Sequence, residues 1–367
     1  VLDSPEKLAA FLPTLASAQW VAVDTEADSL HAYPEKVCLI QVSTAAGDRL
    51  VDPLAPLALD QFLAELSRHR LIMHGADYDL RLLRKHHDFI PRDIFDTMLA
   101  ARLLGVRHFS LSDLVEQFVG VKLEKGSQKA NWAMRPLTER MEKYARNDTH
   151  YLKPLSDRLA HQLEARGRLG WHQEYCQWLI RESSRPKEEN QDEVWRLKGC
   201  HQLERAGLAV LRELWKWREH EALTANRPPF FILSHESLVR LASAAASGRP
   251  VEPLLPRHLS ERRRTGLLRA AARGCAVPPE QQPRQLRFAG RRPSEGEKRR
   301  HQELQRRRDA HAARLGIDPT LIASRAIISS LAHDWDKHAT ELMDWQRELL
   351  SDGAHPPATG PSLAKSD

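Results

Sequence analysis

No stretch of the 367 residues approaches the roughly 20 consecutive apolar positions of a membrane-spanning helix, and the first residues lack a basic-then-apolar signal layout. The cytoplasm is therefore the expected compartment, with no membrane partner. Cysteine is scarce. Cys38, Cys176, Cys200 and Cys275 stand far apart, without CxxC or Cys/His ligand spacing, which argues against both a zinc site and a disulfide framework. Free thiols in a reducing compartment fit this pattern. Histidine is plentiful, at 18, yet HExxH is missing, so most histidines are expected on the surface. No short-period repeat is visible either. At this length two or three domains are expected, at roughly 100 to 200 residues each.

Net charge is +6, and its distribution says more than its sum. Residues 1–160 hold 20 Lys and Arg against 22 Asp and Glu, whereas the remaining 207 hold 35 against 27. A basic half beside an acid-centred half suits a polyanion held by one part and treated by the other. A solvated surface without a partner is the plainer alternative.

The first third alternates between strand and helix signals. WVAVDT, KVCLIQVST and RLVDP are bounded by turn-prone residues and predict an antiparallel meander. LDQFLAELSRH then predicts a helix, RLIMHG a fourth strand and DYDLRLLRKHH another helix, which together imply a mixed sheet with flanking helices. From Ile94 to His161 the pattern is mainly helical, with Pro136 suited to a first helical turn and Pro154 to a kink or end. Val121 to Trp132 is a polar loop rich in lysine, of the kind that carries function.

VAVDTEAD, residues 21–28, ends an apolar strand on acid. Residues two apart in a strand face one side, so Asp24 and Glu26 project together. Asp28 would follow them in an ideal strand, but the strand is expected to have ended, leaving it a loop acid. In HGADYDLRLL, Asp79 enters the first turns of a helix. In YARND, Tyr144 and Asp148 share a helix face as an i,i+4 pair. If these carboxylates meet, divalent cations should bind there: hard ions such as Mg²⁺ or Mn²⁺ take oxygen ligands, and two of them can clamp a phosphodiester displacement. Taken singly, each piece has a plainer reading: a DxE as a turn or cap acid, Asp79 as a complement to a helix N-terminus, YxxxD as chance.

The ordered set resembles the DEDD superfamily of 3′–5′ exonucleases, and within it the ribonuclease D branch, over almost the whole chain. VAVDTEAD, LIMHGADYDLRLL and EKYARNDTHYL are similar to its three exonuclease motifs, and VWRLKGCHQLERAGLAVLRELWKWRE to the start of the helical HRDC domain that follows them. The resemblance implies a ribonuclease-H-like α/β domain followed by all-α HRDC-type bundles. It implies that Asp24, Glu26, Asp79 and Asp148 bind two divalent ions, Mg²⁺ or Mn²⁺, and that Tyr144 positions the nucleophile. Lys143 stands where the other subclass has histidine, which favours the tyrosine subclass. The implied reaction is hydrolysis of RNA from its 3′ end to nucleoside 5′-monophosphates, with transfer-RNA precursors and other structured RNA as substrates. A DNA exonuclease and an inactive RNA-binding nuclease fold are the alternatives. Two positions depart from the family pattern: Ala27, where an aromatic residue commonly follows the DTE, and Asn131, where Asp commonly precedes Trp132. Both bear on substrate positioning. Trp132 itself is expected to be a packing anchor.

The expected organisation is an exonuclease domain at 1–180, a linker at 181–193 and an HRDC-type domain at 194–275. A basic linker at 276–300, a second, diverged HRDC-like region at 301–350 and a disordered tail at 351–367 complete it. The second region is suggested by LGIDPTLIASRAIISSLA, whose hydrophobic order is similar to that of FFILSHESLVRLASAAA. The helical half is expected to capture RNA on basic faces, a structural or protein-interaction bundle being the alternative. A monomer is the favoured state.

Overall fold

Val21, Val23, Val37, Ile40 and Val42 are β-branched residues that suit a pleated, buried surface, and in the computed structural model of the protein they lie in the two longest strands. The structure describes residues 1–124, 126–185, 190, 192–257, 259–285 and 293–351. Residues 186–189, 191 and 286–292 of the expected linkers, and the tail apart from Ser351, lie outside the described residues.

The strands are β1 (Val21–Ala27), β2 (Val37–Thr44), β3 (Gly47–Val51), β4 (Arg70–Met73) and β5 (Asp93–Asp96), in the order β3-β2-β1-β4-β5. The first three form the expected meander, while β4 runs parallel to β1 and β5 parallel to β4. β1 is thus central, and it shares a carboxyl edge with β4. β5 is a correction to the sequence reading, which made the segment from Ile94 helical. Its four residues run straight into a helix, so the apolar periodicity passes through without a break.

The helices around the sheet are α1 (Pro5–Ala16), α2 (Asp60–Leu66), α3 (Asp77–His87), α4 (Thr97–Leu103), α5 (Leu111–Val119), α6 (Glu139–His150), α7 (Leu152–Ala165) and α8 (Leu169–Ser184). α6 starts later than Pro136 suggests, because Thr138 is its N-cap and accepts the Met141 N–H at 3.2 Å. Tyr151 separates α6 from α7, so Pro154 falls in the first turn of a new helix, where its missing N–H costs nothing.

The strand period decides which way β1 presents its side chains. Val21 and Val23 enter a core built with Phe11, Phe62, Leu80 and Ile180, whereas Ala22 packs with Ile72 and Leu152 on the other face. Asp24 and Glu26 continue the Ala22 face, against which α6 lies, and Thr25 continues the Val23 face toward α3.

The remaining helices are α9 (Arg205–Ala225), α10 (Pro229–Ile232), α11 (His235–Ala246), α12 (Glu261–Cys275), α13 (Glu295–Leu315), α14 (Pro319–Ile322), α15 (Arg325–His333), α16 (Trp335–His338) and α17 (Asp344–Leu350). The chain divides into two units. One holds Val1–Ala27, Val37–Arg185 and the helices from α13 onward; the other holds α9 to α12 together with Asp28–Lys36, the loop between β1 and β2. Tyr33 ties that loop to α9, its hydroxyl donating to Glu219 and its N–H to Asn226 Oδ1.

α13 begins inside the stretch expected as a linker, and it belongs with the nuclease unit. Leu304, Ile322, Leu331 and Trp345 share one core with Phe95, Leu103, Leu114 and Leu159. Arg168 reaches into this junction, donating to Leu103 O at 2.6 Å and Leu315 O at 2.7 Å, and Trp171 stacks on Trp345 at 4.8 Å.

The two helical stretches compared in the sequence share an order of elements. α9 and α13, like α10 and α14, match in length and in position at an offset of 90, and α11 and α15 begin at that same offset, α15 ending three residues sooner. A left-handed cap follows each long helix (Asn226, Gly316), then a proline-started turn (Pro229, Pro319), then an extended residue (Leu233, Ala323) and a serine N-cap (Ser234, Ser324). Arg218 donates to Leu233 O in the first copy, as Arg308 does to Ala323 O in the second.

Candidate active site

Three segments bring acid to the carboxyl edge of β1 and β4. Asp24 comes from the middle of β1 and Glu26 from its end, and Asp79 lies in the first turn of α3, shortly after β4. Asp148 comes from α6, one turn beyond Tyr144. Asp79 is buried and accepts a hydrogen bond from the Thr25 hydroxyl, so β1 serves the site from both faces.

The charges that raise Asp24, Glu26 and Asp148 come from the other acids of the set, whereas the charge acting on Asp79 is that of Asp96. Burial, then Asp79, Asp148 and Glu26, push the Asp24 carboxyl well above the usual range. Glu26 is pushed up to about 9 by burial and then by Asp148 and Asp79. Burial raises Asp79 to about 7 against the Thr25 hydrogen bond, and Asp148 to about 7 against the hydrogen bond donated by Tyr144. Burial, with Asp148, Glu26 and Asp24 behind it, holds the Tyr144 hydroxyl far above its ordinary value. It stays a proton donor.

Such a set suits a hard divalent cation, whose charge would relieve the repulsion and whose preference is for oxygen. Among the described residues no three His, Cys, Asp or Glu side chains stand close enough together to hold a metal ion as placed. The carboxylates are neighbours that repel, and a cation would offset that repulsion.

α6 is fixed to the sheet by polar bonds on either side of Asp148. Ser43 Oγ donates to Thr149 Oγ1 at 2.7 Å, and Arg146 donates to Asp48 O at 3.2 Å. The approach to α6 is held by Arg135, which makes a bidentate pair with Asp52 and also donates to Trp132 O and Cys38 O. Gly126 lies on the Tyr144 ring, where an added Cβ would come within 2.1 Å of Cδ2, so the loop needs glycine at this approach.

Residues 1–164 match the 3′–5′ exonuclease family, and residues 207–247 the HRDC domain. Over 372 aligned residues the chain is 27% identical to Ribonuclease D of Desulfotalea psychrophila, covering 96% of each. The chain is similar to ribonuclease D over its whole length, a 3′–5′ exonuclease segment being followed by an HRDC segment. Ribonuclease D of Psychromonas ingrahamii is 28% identical over 244 residues; that match takes in 66% of this chain and 65% of the relative, just under two thirds of its length. The fold is shared with the crystal structure of Escherichia coli RNase D, described as an exoribonuclease involved in structured RNA processing. The TM-score is 0.71 at 23% identity, with 93% of this chain and 91% of that one covered.

Within the ribonuclease D framework the departures have local explanations. Ala27 follows a bulge at Glu26/Ala27 and packs against the core. Asn131 is a turn residue, its side chain accepting the Ala133 N–H at 3.2 Å. Trp132 is buried, packing with Leu39, Leu50 and Met141 as the anchor expected. Asp28 is engaged elsewhere as a buried acid, paired with Lys36 and accepting the Lys36 N–H at 2.9 Å.

Asp96 escaped the sequence reading. It is buried and accepts N–H groups from Gly75, Ala76, Met98 and Leu99 at 2.8–3.1 Å, capping α4 while pinning the turn that launches α3. Thr97 adds to the brace, donating to Met73 O at 3.1 Å and meeting His74 Nδ1 at 2.9 Å. The readable signal was an acid directly before a helix. Asp96→Ala is expected to cost about 2 kcal/mol through the lost cap and the stranded N–H groups. It is also expected to lower kcat roughly tenfold by loosening Asp79. Thermal melts and steady-state kinetics check this, and a stability loss at unchanged kcat would refute the aiming role.

Proposed function

We propose that this chain is a metal-dependent 3′–5′ exoribonuclease that hydrolyses RNA to nucleoside 5′-monophosphates. The observation that carries this reading is the mutual enclosure of four carboxylates from three segments, with the Tyr144 hydroxyl on Asp148. Asp24, Glu26, Asp79 and Asp148 would hold two divalent ions, Mg²⁺ or Mn²⁺. When bound, these supply the charge that acidifies water and stabilises a leaving oxygen. Tyr144, protonated and anchored, orients the attacking water in line with the scissile phosphate. Water adds to phosphorus, the bond to the O3′ of the penultimate nucleotide breaks, and that oxygen takes up a proton. Relatives named as ribonucleases support RNA over DNA as substrate, and the relative described as processing structured RNA supports tailed, structured molecules such as transfer-RNA precursors. Cysteines that form no disulfide among the described residues agree with a reducing cytoplasmic setting, and among the described residues no helix is long and apolar enough to cross a membrane.

The test is incubation of a 5′-labelled, 3′-tailed RNA with Mg²⁺ or Mn²⁺, beside matched DNA. A ladder shortening from the 3′ end with release of 5′-monophosphates is expected, and EDTA should stop it. Turnover in excess chelator, or internal cuts, would overturn the reading. Tyr144→Phe is expected to lower kcat by about 10² at little change in KM.

A further inference from the structure

The two helical copies differ in what covers the same face. In the first copy α12 lies along α9 and α11, and two glycines let it approach closely: a Cβ on Gly274 would come within 2.4 Å of Val210 Cα, and one on Gly266 within 2.9 Å of Trp217 Nε1. Ala209, Val210, Leu214, Trp217 and Leu241 are all buried in that copy. At the constant offset of 90, their counterparts in the second copy are Arg299, Arg300, Leu304, Arg307 and Leu331. These five line an open groove of about 570 Å³, and Trp335 lines it with them. The apolar floor is kept, and the positions where a helix backbone would press are arginine.

An apolar helix seated there would take three guanidinium groups out of water and bring no charge of its own to meet them, which is costly even with Glu303 beside Arg307. The groove therefore suits an anion. Among the described lining residues its three arginines face one carboxylate, Glu303, which pairs within its own helix with Arg306 and Arg307. Two of the arginines are held in place by backbone carbonyls, Arg300 Nε donating to Ala332 O at 2.8 Å and Arg307 Nη1 to Leu350 O at 2.6 Å. Fixed guanidinium groups over an apolar floor with an indole in the lining match a single strand of nucleic acid, phosphates on arginine and a base against the ring.

We infer that the groove between α13 and α15 binds a single-stranded stretch of the RNA substrate through Arg299, Arg300, Arg307 and Trp335. This rests on the exoribonuclease reading above. It assigns substrate retention to the second copy, the one built into the nuclease unit.

The test uses the full chain carrying Asp24→Asn, so that RNA is not consumed. Binding of a labelled single-stranded RNA of about 20 nucleotides is followed by anisotropy across a KCl series. Arg299→Gln with Arg300→Gln is expected to weaken binding about tenfold and to flatten the plot of log K against log salt by roughly 1.4, about 0.7 per lost phosphate contact. Arg299→Lys with Arg300→Lys should keep the slope, and Trp335→Leu should weaken binding while leaving the slope as it was. The loss should be several-fold smaller for an RNA of roughly four nucleotides. Unchanged affinity and slope in the glutamine pair would overturn the proposal, as would equal losses on long and short RNA. Failure of the nuclease reading would appear separately, as wild-type protein that binds the RNA and leaves its 3′ end intact.

Discussion

Replacing Asp24 with Asn is expected to reduce RNA hydrolysis by on the order of 10³-fold or more in kcat, because it removes a charged oxygen from the centre of the acid cluster. Asp24 faces Asp79, Asp148 and Glu26 at once, so no neighbour takes over its place. The variant should nevertheless fold. Asparagine is isosteric, and removing one of four repelling acids should raise the melting temperature of metal-free protein at pH 9 by about 2–4 °C for each kcal/mol relieved. The measurement pairs single-turnover kinetics with thermal melts in EDTA. Lost activity with a lowered melting point would assign Asp24 a structural role instead. Lost activity with a raised one marks a residue whose placement costs stability for the sake of function.

Metal-free protein is expected to lose stability steadily as pH rises from about 4 to about 9. Asp79 and Asp148 titrate at about 7 in the folded chain and Glu26 at about 9, all above the roughly 4 of unfolded carboxyl groups. Between those limits the folded state holds more protons than the unfolded one, so stability falls with pH. The contribution is fully present below about 4 and is lost as pH passes through about 7 for the aspartates and about 9 for Glu26. A divalent cation binds the ionised form, so the gap in melting temperature between Mg²⁺ and EDTA should widen by several degrees from pH 5.5 to pH 8.5. A gap of constant size would mean that the cation binds elsewhere.

The strand-end pair was legible because a period of two fixes which residues share a face, and Tyr144 with Asp148 because helical spacing does the same. That these segments converge followed only from the family resemblance, since local spacing carries no information on how distant pieces meet. β5 was hidden because four strand residues cannot interrupt a helical pattern that resumes at once. Asp96 looked like any acid before a helix, and its second duty toward Gly75 and Ala76 exists only once β4 and β5 are paired. The copy relation was faint because the two halves keep their caps and turns while exchanging buried side chains for arginine.

The assignment of Asp28–Lys36 to the helical unit, beside the placing of α13 to α17 in the nuclease unit, means that this protein cannot be shortened from one end. A chain stopped after Arg185 would strip Leu304, Ile322, Leu331 and Trp345 from beneath Phe95 and Leu159, and should aggregate before its activity could be judged. Excising α9 to α12 from within would instead strand Tyr33, whose hydroxyl and N–H both rely on α9 and its cap. A minimal enzyme therefore calls for two edits made together: a bridge from α8 to α13, and a redrawn hairpin between β1 and β2.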